Sequence, residues 1–134
     1  ECRHDLMKDQ LYLLAKQNRR IARLLEHPIQ FAVTDSPILL CAAYAEIGGN
    51  YTDSLLIPMI LEVFNGYDNI NILIQRDANT YQQVGREQNI EQAKAVDNVV
   101  IDLLHKYNIP YETVYAKPDF STVDEVYEIV MARA

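Results

Sequence analysis

The stretch Phe31-Ala-Val-Thr-Asp-Ser-Pro37 is the part of the sequence on which our prediction of the fold rests. Residues 29–35 follow a long amphipathic segment and are nearly all apolar before Thr34, which predicts a buried strand that ends at Asp35. In open α/β sheets, ligands bind beyond the carboxyl ends of the strands. A carboxylate in that place can hold Mg²⁺, directly or through water. We therefore take Asp35 as a candidate metal ligand and catalytic residue; the alternative is that it only caps a helix starting at Pro37.

Helical and strand patterns alternate along the rest of the chain. Apolar spacing predicts helices over about residues 5–26, 38–45, 56–64, 89–107 and 121–131, and strands over about residues 70–74 and 111–115. Strands separated by helices indicate crossover connections and a parallel sheet. We predict an α/β fold of three α/β/α layers with a parallel sheet, in one domain over residues 1–134, which lacks an N-terminal strand, loop and helix.

Several residues are expected to begin or end the predicted helices. Asp5, Asn89 and Ser121 are candidate N-caps, because their side chains can accept a hydrogen bond from a free backbone N–H group. Gly66 follows Asn65 and is predicted to end a helix in the left-handed conformation.

Composition narrows the class of protein. The chain has 134 residues and a formal net charge of −7, which argues against a surface that coats nucleic acid, so no nucleic-acid partner is expected. No apolar run approaches the roughly 20 residues of a membrane span, so no membrane partner is expected. Cys2 and Cys41 fit no metal or redox spacing and suggest a reducing cytoplasm. The sequence does not predict an oligomeric state.

One arginine precedes a polar segment that has no periodicity, and a second arginine lies within it. Arg76 closes the second predicted strand, and Arg86 lies within residues 77–89, which we interpret as a lid loop. A guanidinium group is always charged and forks onto phosphate oxygens, so both arginines are candidate ligands of a triphosphate. The alternative is that both are solvated side chains beside acidic neighbours.

The first predicted helix carries a basic cluster and two candidate substrate ligands. The cluster consists of Lys16, Arg19, Arg20 and Arg23. We interpret this cluster as the solvated face of the helix; the alternative is that some of these side chains contact the phosphate of an acceptor. Gln10 and Tyr12, about one turn earlier in the helix, could recognise a base by hydrogen bonding or by stacking on it.

Four segments together resemble a known group of proteins. They are Asp9-Gln10-Leu11-Tyr12, Val33-Thr34-Asp35-Ser36-Pro37, Leu61-Glu-Val-Phe64 and Gly85-Arg86. The sequence resembles phage-encoded P-loop proteins described as ATP-binding or nucleotide-kinase-like, which are distantly similar to ribosylnicotinamide and deoxynucleoside monophosphate kinases. The resemblance extends from about Asp5 to Ala116, and its most specific piece is Thr34-Asp35-Ser36-Pro37.

The resemblance implies a P-loop NTPase-like fold with ATP and Mg²⁺ as cofactors. It places the metal-associated acid at Asp35 and lid arginines at Arg76 and Arg86, with Arg86 neutralising the transferring phosphoryl group. Lys117, just after the third predicted strand, falls where such kinases wrap a purine ring, although a structural turn explains it equally well. If the protein is phage-encoded, the resemblance implies the host cytoplasm.

This sequence departs from the family at the phosphate loop. Family members open with a strand and a G-x-x-x-x-G-K-[ST] loop, and no such motif occurs in this sequence. We expect that residues belonging upstream are missing, and that the chain as written binds ATP weakly and turns over negligibly. The function expected is transfer of the γ-phosphoryl group of Mg·ATP to a small acceptor. The alternatives are an ATPase or nucleotide-dependent switch, or a non-catalytic interaction protein.

Overall fold

A computed structural model describes residues 8–48, 55–75 and 90–134 of the chain. The described part contains five α-helices and a two-stranded parallel sheet, so the predicted mixed α/β class is confirmed. None of the helices in these ranges is long and apolar enough to cross a membrane. The chain divides into two compact units, Glu1–Asp68 and Asn69–Ala134. That residues 1–134 serve as one functional domain stays a prediction.

The first unit is built from helices. Its elements are α1 (Gln10–Leu25), α2 (Leu39–Gly48) and α3 (Leu56–Asn65), which pack against one another. Their positions confirm the three helices predicted from apolar spacing. The buried apolar residues of the unit are Leu14, Ile38, Leu39, Cys41, Ala42, Ala43, Ala45, Leu56, Ile60 and Phe64. Most of the buried side chains on α2 are small, since Cys41, Ala42, Ala43 and Ala45 are four of its five buried residues.

The helix ends differ in part from the sequence prediction. The Asp9 carboxylate accepts a hydrogen bond of 3.0 Å from the Tyr12 N–H group and caps α1. The predicted cap Asp5 lies outside the described residues. The prediction of a left-handed stop at Gly66 is wrong, because Gly66 has φ −70°. Its N–H group bonds back to the carbonyl of Val63 at 3.2 Å, so the chain continues in a right-handed turn.

The strand predicted over residues 29–35 is not formed. Among the described residues only two strands exist and this segment is neither, while Val33 is 90% exposed. Two local hydrogen bonds compete with strand pairing: the Ile29 N–H group bonds the His27 carbonyl, and the Ser36 N–H group bonds Thr34 Oγ1 at 3.0 Å. A short apolar run does not by itself identify a strand, because it needs a neighbouring strand to pair with. Asp35 is therefore not at a strand end.

The second unit contains the sheet. Its elements are β1 (Ile72–Gln75), α4 (Ile90–Lys106), β2 (Glu112–Tyr115) and α5 (Ser121–Met131). The two strands are parallel and α5 packs against β2. This confirms the second and third predicted strands within two residues at each end. The buried apolar residues of this unit are Ala93, Val96, Leu103, Leu104, Ile109 and Val114.

A tight turn carries the chain from α4 into β2. Asn108 has φ 51°, a left-handed conformation that asparagine tolerates better than most residues. The next N–H group, of Ile109, reaches back to the Leu104 carbonyl at 2.9 Å. The Asn71 side chain then donates to the Pro110 carbonyl at 3.0 Å, which ties the start of β2 to the residue before β1. These contacts fix the turn between α4 and β2.

Removing a buried side chain from the first unit should destabilise it strongly. Ile60 is 0% exposed, whereas Leu55 just before α3 is 80% exposed. We expect Ile60→Ala to lower the free energy of unfolding by about 2–5 kcal/mol, because it leaves a cavity. Leu55→Ala should change it by less than about 0.5 kcal/mol. Urea unfolding measures both, and similar losses in the two variants would contradict the described core.

Candidate functional site

The carboxyl ends of β1 and β2 meet at one edge of the sheet. The strands pair in parallel from Ile72 with Glu112 to Gln75 with Tyr115. The Ala116 N–H group extends the ladder by donating to the Gln75 carbonyl at 2.9 Å. The chain therefore leaves both strands at the same edge, which is where open parallel sheets bind ligands. The side chain of Tyr115 is 60% exposed there.

Lys117 follows β2 and is fixed to the start of α5. Its N–H group donates to Thr122 Oγ1 at 2.8 Å, and the Thr122 hydroxyl donates to the Tyr115 carbonyl at 3.0 Å. Its ammonium group forms a hydrogen-bonded ion pair with the Glu125 carboxylate. The hydrogen bond to Glu125, and next the attraction of its charge, raise the pKa of Lys117 above its ordinary value. The structure therefore places an exposed cation at the carboxyl edge of the sheet.

Asp119 holds the loop between Lys117 and α5 in place. Its carboxylate accepts hydrogen bonds from the Ser121 N–H group at 3.1 Å and the Ser121 hydroxyl at 2.7 Å. These bonds lower the pKa of Asp119 below its ordinary value. Ser121, predicted as the N-cap, is instead the first helical residue, and the Asp119 carboxylate satisfies its free N–H group. Phe120 between them has φ 63°.

Asp35 lies in the first unit, on an exposed part of the chain before α2. Its Oδ1 atom accepts one hydrogen bond, from the Ser36 hydroxyl at 3.3 Å. Within residues 8–48, 55–75 and 90–134, no group of three or more His, Cys, Asp or Glu side chains is arranged to hold a metal ion. The assignment of Asp35 to a metal and to catalysis stays a prediction, without the strand end that suggested it.

Gln10 and Tyr12 do not share an accessible surface. Gln10 is buried, whereas Tyr12 is exposed and its ring lies 5.6 Å from the ammonium group of Lys16. A ligand that stacks on Tyr12 therefore does not reach Gln10 without repacking of α1. Their assignment to a substrate stays a prediction.

The remaining predicted site residues fall outside the part of the chain that the structure describes. They are Arg76, Arg86 and the lid loop over residues 77–89, together with the predicted cap Asn89. Their roles stay predictions.

The sequence analysis missed Asp119 and Thr122, the two side chains that position Lys117 and the start of α5. The signal for Asp119 was present, since an aspartate two residues before a helix can accept from the first free N–H groups. The role of Thr122 depends on the return of α5 onto β2, which no local pattern reports.

Comparison with known proteins does not identify the chain. No protein-family model matches it, and no curated protein or solved structure does either.

Cys41 should be unreactive in the folded protein. It is buried in the first unit, and burial raises the pKa of its thiol from 9.0 to about 11. At about pH 8, that shift lowers the thiolate fraction roughly a hundredfold, and the thiolate is the reactive form. In a Cys2→Ser variant, we expect thiol labelling to be at least tenfold slower in buffer than in urea. Equal rates would show that Cys41 is accessible.

The cap formed by Asp119 should be lost in acid. Because its folded-state pKa lies below the ordinary 3.8, its contribution is present above that value and disappears as the pH falls through the folded pKa. We expect the Ser121 amide resonance in an NMR titration to shift with a midpoint below 3.8. In Asp119→Asn this titration should be absent. A midpoint at the ordinary value would mean that the two hydrogen bonds do not form in solution.

Proposed function

We propose that this protein binds Mg·ATP and belongs to the nucleotide-kinase-like class, transferring the γ-phosphoryl group to a small acceptor. The observation that carries the proposal is the parallel pairing of β1 and β2, with the exposed Tyr115 at the end of β2 and the exposed Lys117 just past it. The proposal includes a P-loop-like, three-layer α/β/α arrangement of the complete domain. The mixed α/β class of the described residues supports it.

The carboxyl edge of the sheet offers the groups that a nucleotide needs. The Tyr115 ring supplies an exposed aromatic face on which a purine can stack. Lys117 supplies a positive charge that also has an apolar stem, so it can flank the same ring. Arg76 is the next residue in sequence after Gln75, the last residue of β1, and we assign it to the phosphates.

Phosphoryl transfer needs positioning and charge neutralisation more than covalent chemistry. In the proposed reaction, an acceptor oxygen forms a bond to the γ-phosphorus while the bond to the bridging oxygen of ADP breaks. We assign to Arg86 the neutralisation of charge on the transferring group, and Asp35 would hold Mg²⁺, directly or through water. The metal supplies charge neutralisation on the phosphate oxygens.

Nucleotide binding is tested by replacing, one at a time, two tyrosines that are equally exposed. Tyr115 and Tyr127 are both 60% exposed, but only Tyr115 lies at the carboxyl edge of the sheet. Tyr115→Ala should weaken Mg·ATP binding about tenfold in isothermal titration calorimetry, because a base-stacking surface is lost. Tyr127→Ala should leave it unchanged. Lys117→Ala should also weaken binding, whereas Lys94→Ala on α4 should not. Absence of any heat with Mg·ATP would refute the proposal.

Catalysis is tested separately by following the products. With ATP and a panel of nucleosides and nucleotides, a kinase gives ADP and a phosphorylated acceptor in equal amounts. Where the assayed protein turns over ATP measurably, Asp35→Ala and Arg86→Ala should each lower the turnover at least tenfold, since each removes a charge that the transition state requires. Release of inorganic phosphate without a phosphorylated acceptor would contradict the kinase proposal and favour an ATPase or a nucleotide-dependent switch.

A specific observation also favours an interaction protein as a second candidate function. The helix α5 has no buried residue and exposes several large apolar side chains. Exposed apolar rows of this kind are typical of protein–protein contact surfaces.

A further inference from the structure

One face of α5 is a continuous apolar row. The α5 stripe consists of Phe120, Val123, Tyr127 and Met131, which are 80%, 61%, 60% and 42% exposed. Val123, Tyr127 and Met131 recur every four residues, which places their side chains on one side of the helix, and Phe120 directly precedes the first helical residue. The helical part of the row runs over about two turns, or about 12 Å. An apolar stripe of this regularity normally faces a core, but the described part of the chain leaves this one largely exposed.

The other side of α5 is used within its own unit. Thr122 bonds the end of β2, and Glu125 pairs with Lys117. These contacts fix the rotation of the helix about its axis. The α5 stripe therefore cannot turn inward without breaking them, and its exposure follows from how α5 is attached to β2.

An acidic edge runs beside the stripe. Asp124 and Glu128 follow Val123 and Tyr127 in sequence and lie one turn apart, so they form a row along one side of the stripe. Both are exposed, and within the described residues neither forms an ion pair. A binding partner that covers the stripe thus meets two carboxylates whose charge is not neutralised.

We propose that the α5 stripe is a docking surface for an amphipathic helix of a partner protein that carries basic residues along one edge. The apolar row of such a helix covers the stripe, and its lysine or arginine side chains pair with Asp124 and Glu128. The net charge of −7 on the chain attracts a basic partner over a longer range. The surface lies on the side of α5 away from Thr122 and Glu125, which hold the end of β2 and Lys117.

The α5 helix of a second copy fits the surface less well than a basic helix does. Between Ser121 and Met131 the helix has no basic residue, so α5 of another molecule brings no cation to Asp124 or Glu128. Charge complementarity therefore disfavours the pairing of α5 with α5.

Two designed peptides of about 18 residues serve as probes. Both place leucines at positions i, i+3, i+4 and i+7, and they differ only in lysine or glutamate along one edge. Fluorescence anisotropy with the full chain should show micromolar binding of the lysine peptide, and binding of the glutamate peptide at least tenfold weaker. A scrambled lysine peptide controls for attraction by charge alone, and it should bind at least tenfold more weakly than the helical one.

Substitutions on the stripe should remove this binding without unfolding the protein. Val123→Asp and Tyr127→Asp should each weaken binding of the lysine peptide at least tenfold, because each places a charge in an apolar contact. Leu24→Asp is the matched control, since Leu24 is 48% exposed on α1, and it should have no effect. The double variant Asp124→Lys/Glu128→Lys should reverse the preference toward the glutamate peptide.

Three results would overturn the proposal. The first is equal affinity for the lysine and glutamate peptides. The second is unchanged binding in both Val123→Asp and Tyr127→Asp, with helical content preserved by circular dichroism. The third is a wild-type dimer in sedimentation velocity that Val123→Asp dissociates, because a second copy would then be the occupant of the stripe.

Discussion

The parallel pairing of β1 with β2 is the constraint on which the second unit depends. Two parallel strands cannot be joined by a tight turn, so the chain must return along the sheet before the second strand begins. The segment between them contains α4, and the left-handed turn at Asn108 reverses the chain into β2. The same pairing sends both strand ends to one edge. The position of Tyr115 and Lys117 is therefore a consequence of strand direction.

The loop after β2 is ordered by side chains more than by burial. Thr122 links the Lys117 backbone to the last carbonyl of β2, and Asp119 caps the following helix. Both interactions are exposed, so each is weakened by competition with water. The ion pair of Lys117 with Glu125 is also exposed, so it contributes little to stability. A nucleotide bound as we propose would meet a backbone held by these contacts and would compete with Glu125 for the Lys117 ammonium group.

Periodic apolar patterns predicted the five helices and the two strands, because those patterns report which face of an element is buried. The prediction over residues 29–35 was wrong because a strand depends on a neighbour that sequence alone does not show. The burial of Gln10, a polar residue in the same helix as the exposed Tyr12, could not be predicted from the sequence either, because it depends on how α1 packs. For the candidate site, the sequence analysis predicted correctly that Lys117 follows a strand. It missed Thr122, whose hydroxyl bonds the Tyr115 carbonyl seven residues earlier in the chain.

The helix α5 connects the two surfaces to which we assign functions. Its inner side carries Thr122 and Glu125, which hold the end of β2 and Lys117. Its outer side carries the α5 stripe. Because the contacts described for α5 lie on its inner side, a partner that covers the stripe would add contacts on the outer side and so help to hold the helix in place. Linkage then requires reciprocity: if docking makes Lys117 easier to engage, nucleotide binding strengthens docking by the same factor. The two proposed functions are thus physically compatible, because they use opposite sides of one helix.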